Sequence, residues 1–152
     1  MAYPALNFLP GRRYILSGAL AAVALPARAA GEMSRFKKAQ TPKPLPDLEF
    51  QDANDKPLRF ADFRGRALLI NFWATWCTPC VKEMPSLDRL QAMFPKDKFL
   101  VLPLSIDGAS RPRVAPFYKD RKLTHLGIYF DKGRKAMQGL DVSLLPTSIL
   151  VD

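Results

Sequence analysis

The chain has 152 residues, 48% of them hydrophobic, which is enough for one domain with a proper core. Its formal charge of +9 comes from 23 Lys and Arg against 14 Asp and Glu, but the basic residues are scattered and form no recognition signature, which argues against a nucleic-acid-binding protein. A solvated basic surface is expected instead, with at most weak attraction to acidic partners or anionic lipid headgroups.

Residues 1–29 hold no acid and read as an export signal. Arg12 and Arg13 form a positive start, residues 14–25 are apolar and alanine-rich, and Ala27-Arg28-Ala29 places small residues where a signal peptidase cuts, with cleavage expected after Ala29. The apolar run is too short for a membrane span, which needs about 20 residues. Gly11-Arg12-Arg13-Tyr14-Ile15-Leu16 resembles a twin-arginine signal; an ordinary Sec signal stands beside it, and an uncleaved anchor that keeps the domain near a membrane is the lesser alternative.

Residues 30–44 mix lysines with Pro42 and Pro44, show no apolar period and read as a linker, so the folded domain is expected over residues 45–152. Residues 45–50, 52–55 and 56–60 suggest a strand, a turn and a second strand, with Phe50, Leu58 and Phe60 on the buried face. Residues 63–66 form the turn into residues 67–72, a short apolar run suited to a strand buried on both faces. A helix follows, with Leu87, Leu90 and Phe94 as its apolar stripe, with Glu83, Asp88 and Arg89 off it, and with Pro85 expected to kink it. Residues 99–105 read as a strand with an irregularity at Pro103, residues 106–110 as a loop, and residues 110–122 as a helix capped by Ser110 with Pro112 in its first turn. A strand over 126–130, a turn at 131–133, a short helix over 134–140 and a last strand over 147–151 complete the chain.

The only two cysteines, Cys77 and Cys80, lie where the buried strand gives way to the helix. Unpaired N–H groups and the positive end of the helix dipole favour a thiolate at Cys77, while Cys80, one turn inside, is more sheltered. Such a pair suits thiol–disulfide exchange, with Cys77 attacking, Cys80 resolving and Trp76 as an apolar platform beside the sulfur. Two blander readings compete. A structural disulfide at this spacing closes too small a loop to restrain the unfolded chain much, and a metal clip lacks ligands, since the single histidine, His125, is better read as a polar residue at a strand entry. No cofactor or metal is expected. A copper carrier using the two cysteines stays open as another class, as does a structural module whose disulfide is never turned over, or a truncated, weakly active or inactive redox module.

The segment Asn71-Phe72-Trp73-Ala74-Thr75-Trp76-Cys77-Thr78-Pro79-Cys80-Val81-Lys82-Glu83-Met84-Pro85, together with Leu145-Pro146-Thr147, resembles the active site of the TlpA/ResA branch of the thioredoxin superfamily. The resemblance implies an α/β thioredoxin fold preceded by a β-hairpin, with an added strand and helix between the cysteines and the proline loop. It also implies that Cys77 is the nucleophile, that Cys80 resolves, and that Pro146 is cis, with Leu145 and Thr147 beside it to dock the substrate backbone. Leu144 stands where relatives often have glycine. Asn71 replaces the buried aspartate of plain thioredoxin, and Glu83, three residues after Cys80, is the candidate to move the resolving proton. The family implies a periplasmic reductant, kept reduced by a membrane electron donor and acting on disulfide-containing client proteins of cytochrome c maturation or oxidase copper-site assembly. A thioredoxin sheet normally continues past the strand at 147–151 into an edge strand and a final helix. The sequence as given is therefore expected to be an incomplete form with exposed apolar surface, marginal stability and weak activity.

Overall fold

Six strands and three helices make up the described part of a computed structural model, residues 43–108 and 111–152. In chain order they are β1 (Glu49–Asp52), β2 (Pro57–Arg59), β3 (Ala67–Trp73), α1 (Thr78–Met93), β4 (Phe99–Ser105), α2 (Arg111–Asp120), β5 (Tyr129–Phe130), α3 (Lys135–Gly139) and β6 (Thr147–Val151). The expected export signal, its cleavage site, the linker up to residue 42 and the Ser110 cap fall outside the described residues. The sheet order is β2-β1-β5-β4-β3-β6. β3, β4 and β5 run parallel, while β6 is antiparallel to β3 and β1 is antiparallel to β5. This is a thioredoxin-like α/β fold with an N-terminal hairpin.

β3 is buried from Leu68 to Trp73, as a run that is apolar but for Asn71 requires of a strand flanked on both edges. The parallel step from β3 to β4 needs a crossover, and α1 supplies it. β6 pairs with β3 from Thr147↔Phe72 to Val151↔Leu68 and is the outermost described strand on that side, with Leu150 55% exposed.

The hairpin begins later than the sequence suggests. Leu48 N–H bonds back to Pro46 O, a tight turn that delays β1 to Glu49. Its loop is fixed by the Asp52 carboxylate, which accepts from Asn54 N at 2.7 Å and Lys56 N at 3.1 Å. Phe50 and Phe60 are buried as expected, but Phe60 opens a 3-10 turn, Phe60–Phe63, rather than ending a strand. α2 stops at Asp120 because Lys122 takes a left-handed conformation, φ 54°, and Leu123 N–H closes onto Tyr118 O. The strand expected over residues 126–130 shrinks to β5, since residues 123–128 are held by side chains. Asp88 Oδ1 accepts from His125 N at 2.8 Å and Leu126 N at 3.0 Å, and Tyr118 Oη donates to Gly127 O at 2.9 Å.

α1 corrects the expected buried face. It runs unbroken through Pro85, but the residues it buries are Cys80, Met84, Asp88 and Gln91, while Leu87 and Leu90 are half-buried and Phe94 is exposed. Two polar side chains lie inside because backbone groups from elsewhere need them. Asp131 N–H bonds Ser105 O, so Ser105, and by alternation Pro103 and Val101, faces the β5 side of β4, where β5 reaches only Leu104 and Ser105. Pro103 therefore sits without disturbing the strand, having no N–H to leave unpaired there. Gln91 fills the remaining gap as a strand would: its Oε1 accepts from Val101 N at 2.7 Å and its Nε2 donates to Phe99 O at 3.2 Å. Gln91→Ala, which orphans the buried Val101 N–H, is expected to cost about 1–3 kcal/mol in urea unfolding. An unchanged midpoint would mean that water replaces the amide.

Candidate active site

β3 ends at Trp73 and α1 begins at Thr78, with Cys77 as the N-cap between them. The connecting turn is braced by Asp107, whose carboxylate accepts from Thr75 N at 2.9 Å, Thr75 Oγ1 at 2.6 Å and Ser105 Oγ at 2.7 Å. Cys77 and Cys80 are joined in a disulfide with Cα atoms 5.3 Å apart. Cys77 Sγ also accepts from Cys80 N at 3.4 Å, so a sulfur at this cap faces a free backbone donor of the first turn. Cys77 is 7% exposed and Cys80 fully buried, the order of access that the sequence suggests. With the disulfide closed, only a sliver of Cys77 meets solvent.

The pair opens onto a groove of ≈ 460 Å³ lined by Trp76, Cys77, Ile106, Arg134, Met137 and Leu145, among others. Trp76 is 61% and Leu144 75% exposed, and both lie along it. The Leu145–Pro146 bond is cis. Thr147, the first residue of β6, pairs with Phe72 of β3 and anchors the loop by donating from Oγ1 to Leu144 O at 2.8 Å. The cis-proline loop and the disulfide therefore meet at one end of the sheet. Sequence reasoning missed Ile106, Asp107, Arg134 and Met137 here, because each reaches the site from a separate loop or short helix.

Behind the pair, Asn71 is fully buried and donates from Nδ2 to Glu83 Oε1 at 2.7 Å and to Ser148 Oγ at 3.0 Å. Its Oδ1 is buried without a partner among the described residues. Burial pushes the Glu83 carboxyl above the usual carboxylate range, and the Asn71 bond partly offsets this. Asn71 and Glu83, which the sequence treats separately, are thus one unit. His125 stands apart, its Nδ1 3.0 Å from Asp88 Oδ2. Among the described residues no three His, Cys, Asp or Glu side chains gather closely enough to hold a metal ion.

Residues 42–152 match the AhpC/TSA family. The chain belongs to this family. Within the AhpC/TSA family it is 32% identical over 122 residues to the thiol-disulfide oxidoreductase ResA of Bacillus cereus, which covers 80% of this chain and 69% of that relative. Among solved structures, the exposed lipoprotein thioredoxin Etrx1 of Streptococcus pneumoniae aligns at 25% identity with a TM-score of 0.60, over 70% of this chain and 82% of its own. A thiol:disulfide interchange protein of Chlorobium tepidum shares the fold at 24% identity and a TM-score of 0.62, over 76% and 81%. This AhpC/TSA member, with its bonded Cys77–Cys80 pair, is a thiol-disulfide oxidoreductase of ResA type.

Proposed function

We propose that the protein is an exported dithiol–disulfide oxidoreductase that reduces client proteins in an oxidising compartment, the periplasm. The observation that carries this reading is a cysteine pair at the head of α1, opening onto a groove whose far wall is the cis-proline loop. In the reduced protein the Cys77 thiolate attacks a client disulfide, forming a Cys77–client disulfide and releasing one client thiolate. Cys80 then gives its proton to the Glu83 carboxylate and attacks Cys77 Sγ, which releases the second client thiolate. Two electrons pass to the client and the Cys77–Cys80 disulfide forms. Leu145 and Thr147, flanking Pro146, offer backbone groups to an extended client segment, and Trp76 packs against it. A membrane electron donor returns the two electrons. Clients in cytochrome c maturation or in oxidase copper-site assembly fit this role, as does the signal-like composition of residues 1–29. Among the described residues no helix is long and apolar enough to cross a membrane.

The test is trapping. Cys80→Ser strands the Cys77–client disulfide, so non-reducing gels and mass spectrometry of exported fractions are expected to show Cys77-linked adducts that disappear on reduction. Absence of adducts, with Cys77 free and accessible, would overturn the proposal.

Glu83→Gln separates proton transfer from stability. Because burial raises the Glu83 pKa, its contribution to stability is full below the ordinary carboxylate range and is lost as pH rises through the folded-state value. Glutamine keeps an acceptor for Asn71 Nδ2 without the buried charge. The variant is expected to melt higher than wild type at pH 7 with no such gain at pH 4, while its release of the second client thiol slows by about 10²-fold. Unchanged release would remove Glu83 from the mechanism.

A further inference from the structure

The chemistry proposed for Cys77 does not say which disulfides enter the groove, but the groove wall carries one unassigned feature. Among its lining residues Arg134 alone is charged. Lys132, two residues earlier, pairs with Asp55 at 3.4 Å, whereas the Arg134 guanidinium has no carboxylate partner among the described residues. Its backbone is also held in one conformation. Arg134 lies in the left-handed region at φ 57°, ψ 29°, directly after Gly133 at φ 71°, ψ 11°. An arginine seldom adopts this backbone, which glycine and asparagine fill more readily. The turn is clamped from within by buried Asp131, which accepts from Arg134 N through its carbonyl at 3.1 Å, and through its carboxylate from Ala136 N at 2.9 Å and Met137 N at 2.8 Å. A rigid turn thus presents a lone cation beside Trp76, Cys77 and the cis-proline loop.

We propose that Arg134 selects clients that carry an aspartate or glutamate close to the attacked cysteine. This rests on the reading of Cys77 given above. The guanidinium fork matches a carboxylate in two parallel hydrogen bonds, and Arg134 is exposed, so an incoming client segment can reach it. Trp76 and Leu144 supply apolar contact that any extended segment can use, so they do not discriminate. The cation does, by attracting acidic segments and repelling basic ones.

The experiment uses the intact reduced protein and three peptides that differ only in one residue, Glu, Gln or Lys, placed two positions from a cysteine activated as its pyridyl disulfide. Cys77 attacks the peptide sulfur, pyridine-2-thiolate leaves and is read by absorbance, and Cys80 then frees the peptide thiol. Wild type is expected to favour the Glu peptide over the Lys peptide by roughly tenfold in kcat/KM, mainly through KM, with the difference shrinking in about 1 M salt. In Arg134→Gly, whose backbone suits the left-handed turn, the preference falls to near unity; in Arg134→Glu it inverts toward the Lys peptide. An unaltered Glu-to-Lys ratio in both variants overturns the inference. So does an equal loss on all three peptides, which would mean that Arg134 acts on the Cys77 thiolate or on folding. No exchange by wild type with any peptide would overturn the reading of Cys77 itself, a result distinct from exchange without charge preference.

Discussion

Cys77→Ser is expected to abolish client reduction down to the background rate without the protein. Cys77 is the sulfur at the helix cap and the one that lines the groove, whereas Cys80 is fully buried and offers a client no line of approach. A thiolate at Cys77 faces the N–H groups of the first turn and the positive end of α1, which lower its pKa, while Cys80, enclosed in apolar surroundings, gains less. Iodoacetamide alkylation against pH should therefore show a lower apparent pKa for Cys77 in Cys80→Ser than for Cys80 in Cys77→Ser. The reverse order, or full turnover by Cys77→Ser, would exchange the two roles.

Asp88→Ala should be the most destabilising of the polar substitutions. The carboxylate holds His125 N, Leu126 N and the His125 ring, and through them it ties residues 123–128 to α1. Alanine leaves two backbone N–H groups without an acceptor, a loss of about 2–6 kcal/mol by the usual cost of orphaned donors. Against a domain stability of about 5–15 kcal/mol this is a large fraction. Burial alone would raise the Asp88 pKa, but the bonds from the His125 side chain and backbone and from Leu126 N outweigh it and hold the carboxyl below its ordinary range. Its contribution is therefore present above the ordinary carboxylate pKa and is lost as pH falls through the folded-state value. Asp88→Asn keeps one acceptor oxygen, so it should cost less than alanine at pH 7 and lack this acid-side loss. Urea unfolding of the three proteins from pH 7 to pH 3 measures both effects; parallel curves at all pH values would dismiss the linkage.

The redox pair, the strand that leads into it, the hairpin and the cis-proline loop were legible because each is a local pattern. Cys77 and Cys80 are three positions apart, the run Ala67–Trp73 is apolar but for Asn71, and Leu145-Pro146-Thr147 resembles the proline loop of the TlpA/ResA branch. Apolar periodicity misplaced the buried face of α1 because it counts hydrophobic residues and overlooks the polar ones that other parts of the chain require inside. Asp88 is buried because residues 125 and 126 return to it, and Gln91 because β5 is too short to pair with Phe99 and Val101. Asn71 and Glu83 become one unit only when β3 lies against α1. Arg134, which reads as one basic residue among 23, lies along the groove that Cys77 also lines, on a turn that Asp131 holds before α3. The sequence by itself determined the chemistry, since that resides in two neighbouring sulfurs at a helix start. The tertiary structure decided which polar groups lie inside and which cation lines the groove, because both depend on neighbours that only folding brings near.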